Sequence, residues 1–222
     1  MRAVDIMVRD VVTVASDTPI SEAVKLLSEH DISALPVLEN GRLIGIISEA
    51  DLLHRSEIGT EKHRPWWIEA MTPATTLASD FTKSHGMKVG ELMKTNVVTA
   101  TEEDTVADIA NLLERHRIKR VPIMAGGELV GIVSRANLIQ ALASSHGPAD
   151  AQSNDDRRIR LDLLSRLSEQ KWTDYGSRNI IVSDGTVHLW GLVGSNAEHQ
   201  ALIVLAESIP GVTKVSDEMI AI

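Results

Sequence analysis

Cysteine is absent from the 222 residues, which excludes disulfides, thiolate zinc sites, iron–sulfur ligation and a cysteine nucleophile. Aromatic residues are scarce, with one Phe, one Tyr and four Trp, so Val, Ile, Leu and Ala have to build the core. No apolar run approaches the roughly 18 residues of a membrane span, and Met1-Arg2-Ala3-Val4-Asp5 opens no signal-like stretch, so a cytoplasmic location is expected. Gly-x-Ser-x-Gly, the phosphate-loop lysine motif and Gly-x-Gly-x-x-Gly are all missing, and the eight histidines show no His-Glu-x-x-His spacing. The chain is therefore expected to be no enzyme, with no catalytic residue, metal or catalytic cofactor. The formal net charge of −9 repels polyanions, and no nucleic-acid partner is expected.

What is present is a repeat. An offset of 86 superimposes residues 7–52 on residues 93–138 without a gap. Val11-Val12-Thr13 falls on Val97-Val98-Thr99, Leu26-Leu27 on Leu112-Leu113, His30 on His116, and Pro36 on Pro122. Gly41, Leu43, Gly45, Ile46, Ser48, Ala50 and Leu52 meet their own kind.

Each copy reads as a short extended run, a helix with Ile20, Ala23, Val24 and Leu27 (or Val106, Ile109, Ala110 and Leu113) at helical spacing, two strands about a glycine turn, and a second helix opening at Ser48 or Ser134. His30 and His116 are placed to close their helices. This β-α-β-β-α unit resembles the CBS domain, and the two copies resemble a CBS pair, or Bateman module. The motif of that family stands here as Gly45-Ile46-Ile47-Ser48-Glu49-Ala50-Asp51 and Gly131-Ile132-Val133-Ser134-Arg135-Ala136-Asn137.

Residues 56–88, with Trp66 and Trp67, read as an insert between the copies, the two Trp as packing or dimer-contact residues. Residues 144–154 read as a flexible linker. Beyond it, Ile159, Leu163, Leu164 and Leu167 mark a helix, Asp184-Gly185 a hairpin turn between two apolar runs, and Pro210-Gly211 the stop of a further helix before a last strand. Arg157, Arg158 and Arg160 interleave with Asp155, Asp156 and Asp162 and read as a solvated helix face. This α-β-β-α-β order, with Asp184-Gly185-Thr186-Val187-His188-Leu189-Trp190-Gly191, resembles a BON domain. Members of that family are linked to envelopes and phospholipid surfaces, so a protein or membrane-surface partner is implied. The expected fold is α+β: a pseudo-two-fold CBS pair (1–55 and 89–143) followed by a small α-β-β-α-β domain (155–222).

By spacing alone, Ser48 and Asp51 make a capping box. The same geometry offers N–H groups and a hydroxyl to a phosphate, and a carboxylate to the two hydroxyls of a ribose. The resemblance favours the second reading and implies a crossed arrangement. One cleft would unite Ser48, Ala50 and Asp51 with Val97, Val98, Thr99, Lys119, Arg120, Val121 and Pro122. The other would unite Ser134, Arg135 and Asn137 with Val11, Val12, Thr13, Ser33, Ala34 and Leu35. The first has a carboxylate and two cations and is expected to be the tighter site. The second has a neutral amide and no cation before Pro36, and is expected to be weak, empty or adapted to another ligand. The implied protein is a non-enzymatic regulator taking an adenine nucleotide, NAD(H) or S-adenosylmethionine as regulatory ligand, and pairing as a homodimer. The alternative is a lipid- or protein-docking adaptor with vestigial clefts.

Overall fold

The computed structural model describes residues 1–53, 59–60, 71–145, 153–173 and 179–221. Trp66 and Trp67 lie outside the described residues, as does the linker from 146 to 152. The fold is mixed α and β, and it divides into two compact units: Val12–Val97, and Met1–Val11 with Val98–Ile222. Among the described residues no helix is long and apolar enough to cross a membrane.

In the unit 12–97, α2 (Ile20–Glu29) buries Ile20, Ala23 and Leu27 against Leu35, Val37 and Ile47 of the antiparallel pair β1 (Ala34–Glu39) and β2 (Arg42–Ser48). Asn40 and Gly41 turn the hairpin with positive φ of 49° and 76°. The four-residue α3 (Glu49–Leu52) follows, then α4 (Ala74–His85) and α5 (Val89–Leu92). The other unit opens with α1 (Ala3–Ile6) and repeats the plan: β3 (Ala100–Thr101), α6 (Val106–Arg115), β4 (Arg120–Ala125), β5 (Glu128–Ser134) and α7 (Arg135–Ser144). The same irregularity interrupts both hairpins, between Val37 and Leu38 and between Ile123 and Met124. His30 and His116 close α2 and α6 as expected.

The segments that lead into the repeats are exchanged. Ala3 N–H donates to Asp104 O (2.8 Å), and Val8 bridges Ile132, so residues 1–11 pack on the second repeat. Val89 N–H likewise donates to Thr18 O (2.9 Å), and Lys94 bridges Ile46 in the first. The glycine that opens each motif makes this possible. A Cβ on Gly131 would stand 2.5 Å from Met7 Sδ, and one on Gly45 would stand 2.5 Å from Met93 Sδ.

Residues 153–221 form a sheet β6 (Asn179–Ser183), β7 (Thr186–Val193), β8 (Lys214–Ala221), with β7 antiparallel to β6 and parallel to β8. The helices α8 (Asn154–Ser168) and α9 (Asn196–Glu207) cover one face through Ile159, Leu163, Leu167, Leu202 and Ala206. Asp184 (φ 51°) and Gly185 (φ 71°) form the expected hairpin turn.

One expectation fails in part: Arg158 and Asp155 are exposed and paired at 3.2 Å, but the rest of the charged start of α8 is not a solvated face. Asp156 is buried and accepts from Gly185 N–H at 2.8 Å. Arg160 is buried too, donating to the carbonyl oxygens of Ile180 (2.7 Å), Val4 (3.1 Å) and Met7 (2.6 Å). Arg157 forks onto the buried Asp5 at 2.7 and 3.2 Å. The reason is register: residues 156, 160, 163 and 167 fall on one helical stripe, so Asp156 and Arg160 share the face of Leu163 and Leu167. Burial, with Arg9 nearby and partly offset by Asp5, pushes the Arg160 guanidinium down to about 10. The Asp5 hydrogen bond raises that of Arg157.

Candidate functional site

β2 ends by delivering Ser48 to the head of α3, and register sets Ser48 opposite Ala34. Glu49 N–H donates to Ser33 O at 3.2 Å, which fixes the pre-proline segment 33–35 beside the motif. Asp51 is buried, and its two oxygens have different company. Oδ2 accepts from Ser48 N–H (3.0 Å) and Ser48 Oγ–H (2.6 Å), which is the capping arrangement. Oδ1 faces Lys94 Nζ at 2.9 Å. The Lys94 side chain is 60% exposed against 6% for Asp51, so the carboxylate is held in place while its cation is free to leave. Val12, Thr13 and Val97 lie half-buried in this unit, Ala34 and Leu35 are buried, and Ala50 is exposed.

The unit with the second repeat repeats this construction with different chemistry. Ser134 stands opposite Arg120, and Arg135 N–H donates to Lys119 O at 3.0 Å, so the cationic pre-proline pair borders the Ser134–Asn137 motif. Lys119 is exposed, Arg120 half-buried, and Val121 and Pro122 buried. Val11 and Val98 are half-buried and Thr99 is exposed. Asn137 is buried, and its Oδ1 accepts from Ser134 N–H (2.7 Å) and Oγ–H (2.8 Å). Arg135 turns its Nε to Ile118 O at 3.1 Å. Among the described residues no group of three or more metal-ligating side chains is placed to hold an ion.

Lys94 was not among the candidates read from the sequence. Its signal is the mismatch between copies. The residue at the equivalent position of the first copy is Val8, which bridges Ile132 as Lys94 bridges Ile46. Charge thus goes with charge (Lys94 with Asp51), and a neutral residue goes with the neutral motif (Val8 with Asn137).

Comparison with known proteins places these features in a family. The CBS domain model matches residues 3–57 and 89–144, and the BON domain model matches residues 155–221. The chain belongs to the CBS-domain proteins, with a CBS pair followed by a BON domain. It is 32% identical over 150 residues to MJ1426 of Methanocaldococcus jannaschii, covering 62% of this chain and 89% of that protein. It is 29% identical over 150 residues to the CBS domain-containing protein YhcV of Bacillus subtilis, covering 68% of this chain and 91% of that one. The crystal structure of CBSX2 in complex with AMP superposes with a TM-score of 0.56 at 27% identity, over 64% of this chain and 96% of that one.

Proposed function

We propose that this chain is a non-enzymatic regulatory protein whose Ser48–Asp51 motif binds an adenosine-containing ligand: AMP, ADP, ATP, NAD(H) or S-adenosylmethionine. The observation that carries the reading is the buried Asp51 carboxylate, with one oxygen fixed by Ser48 and the other held by an exposed, displaceable ammonium. A ribose presents two neighbouring hydroxyl donors, and a rigid ionised carboxylate accepts them through charge-assisted bonds. The family resemblance assigns the phosphates to Lys119 and Arg120 and the adenine to the strand and pre-proline segments. The AMP complex of CBSX2, a protein of similar fold, supports this choice of ligand class.

In this reading, ligand shifts an equilibrium between states it binds unequally, and residues 155–221 present the output to a partner. Two chains pair through their CBS repeats. A thermal-shift panel of AMP, ATP, NADH and S-adenosylmethionine on the full chain tests the proposal. A rise in melting temperature with at least one of them supports it, and a flat response to all four overturns it.

A further inference from the structure

One face of the BON sheet is covered by the second repeat. Ile180 and Val182 of β6 belong to the core under α8 and α9, so strand alternation turns Asn179 and Ile181 the other way. Ile181 is fully buried within the core of the second repeat, in the cluster that holds Ala141, Ile6 and Met7, and Trp190 packs on the same cluster. Trp190 Nε1–H donates to Ser144 Oγ at 3.2 Å. Around this apolar contact stand the buried polar groups already met, Arg160 and Asp5, bonded across to residues 4, 7 and 157.

Beside it stands half-buried Gln140. Its Oε1 accepts from Asn179 Nδ2–H at 2.7 Å and from Asn137 Nδ2–H at 3.4 Å. One oxygen therefore joins the BON sheet to the Ser134–Asn137 motif. Asn137 spends its Oδ1 on Ser134 and its amide on Gln140, whereas Asp51 offers Oδ1 to an exposed lysine.

We propose that the second motif has been reassigned from ligand recognition to anchorage: buried Asn137 and Asn179, with half-buried Ser134 and Gln140, form a relay that fixes the BON sheet to the second repeat. An amide suits this task where a carboxylate suits a ribose, because only the amide has an N–H to give Gln140 Oε1. The second repeat and the BON domain then move as one body, so a rearrangement of that repeat reaches the BON surface without a separate signal. This goes beyond the ligand reading above and gives Asn137 a role that reading does not need.

Hydrogen–deuterium exchange of the full chain, without ligand, over peptides covering residues 179–190 tests the anchor. Gln140→Ala and Asn179→Ala leave the Ser134–Asn137 cap intact, and each is expected to speed exchange roughly tenfold by removing the bond between Gln140 and Asn179. The double variant is expected to exchange no faster than Gln140→Ala, since both bonds end on one oxygen. Asn137→Ala is expected to speed exchange as well while leaving the AMP affinity within about twofold. Unchanged exchange in all three single variants, or loss of AMP binding in Asn137→Ala, would overturn the proposal. Failure of the unmodified chain to bind AMP is a separate result: it would overturn the reading of Ser48–Asp51 and leave the exchange comparison to decide the anchor.

Discussion

Lys94 Nζ lies 2.9 Å from Asp51 Oδ1, on the one carboxylate oxygen that Ser48 does not occupy. The ammonium accompanies a buried carboxylate until a ligand arrives. Because it is mostly exposed, the pair contributes at most about 1 kcal/mol. A ribose that takes Oδ1 has to displace it. Lys94→Met is therefore expected to raise AMP affinity by roughly two- to fivefold, measured by calorimetric titration. A fall instead would show that the ammonium touches the ligand itself.

Gly131 and Gly45 admit the exchanged methionines. Gly131→Ala sets a methyl group against Met7 Sδ and 3.1 Å from Val8 O, and is expected to cost about 1–3 kcal/mol in denaturant unfolding. Met7→Ala in the same chain removes the clash, so the two changes together are expected to cost less than their sum. Simple additivity would mean that the leading segment does not press on the motif glycine.

Arg160 satisfies three carbonyl oxygens from inside the fold. Arg160→Met leaves them without that donor, while also relieving the cost of a buried charge. The net loss expected in equilibrium unfolding is about 2–4 kcal/mol. Arg160→Lys is expected to recover little, because an ammonium cannot span acceptors on residues 4, 7 and 180 as a planar fork does. Full stability in the lysine variant would contradict the geometry.

At the head of α6, the Thr105 hydroxyl and N–H hold the Asp108 carboxyl below its ordinary value of 3.8. A depressed acid adds stability that is present above its unfolded value and lost as pH falls through the folded one. That window lies below pH 3.8. Thr105→Val removes the larger cause, so an NMR titration is expected to show the Asp108 midpoint moving up toward the ordinary value.

Much of this architecture was legible in the sequence because the duplication makes each copy a control for the other. Gly45 with Gly131, Ser48 with Ser134 and His30 with His116 marked equivalent positions, and Asp184-Gly185 named its turn. Two features escaped, each for a physical reason. The resemblance implied a crossing of the leading segments, but the seat of Met7 on Gly131 is a tertiary contact that no local pattern announces. Arg160 was read as solvated because its neighbours are charged. Its place on the stripe of Leu163 and Leu167 was visible, but the three carbonyl oxygens that make its burial tolerable come from residues far along the chain. At the candidate site the identity of Ser48 and Asp51 was readable, whereas Lys94 needed the exchange to be known first.

Equilibrium titration of AMP into the unmodified chain, Asp51→Ala and Asn137→Ala, followed by heat, tests the account most directly. The account predicts saturable binding that Asp51→Ala weakens by at least roughly tenfold, the loss of a charge-assisted bond pair, and that Asn137→Ala leaves nearly intact. Equal losses from the two substitutions, or binding that survives without the Asp51 carboxylate, would contradict it.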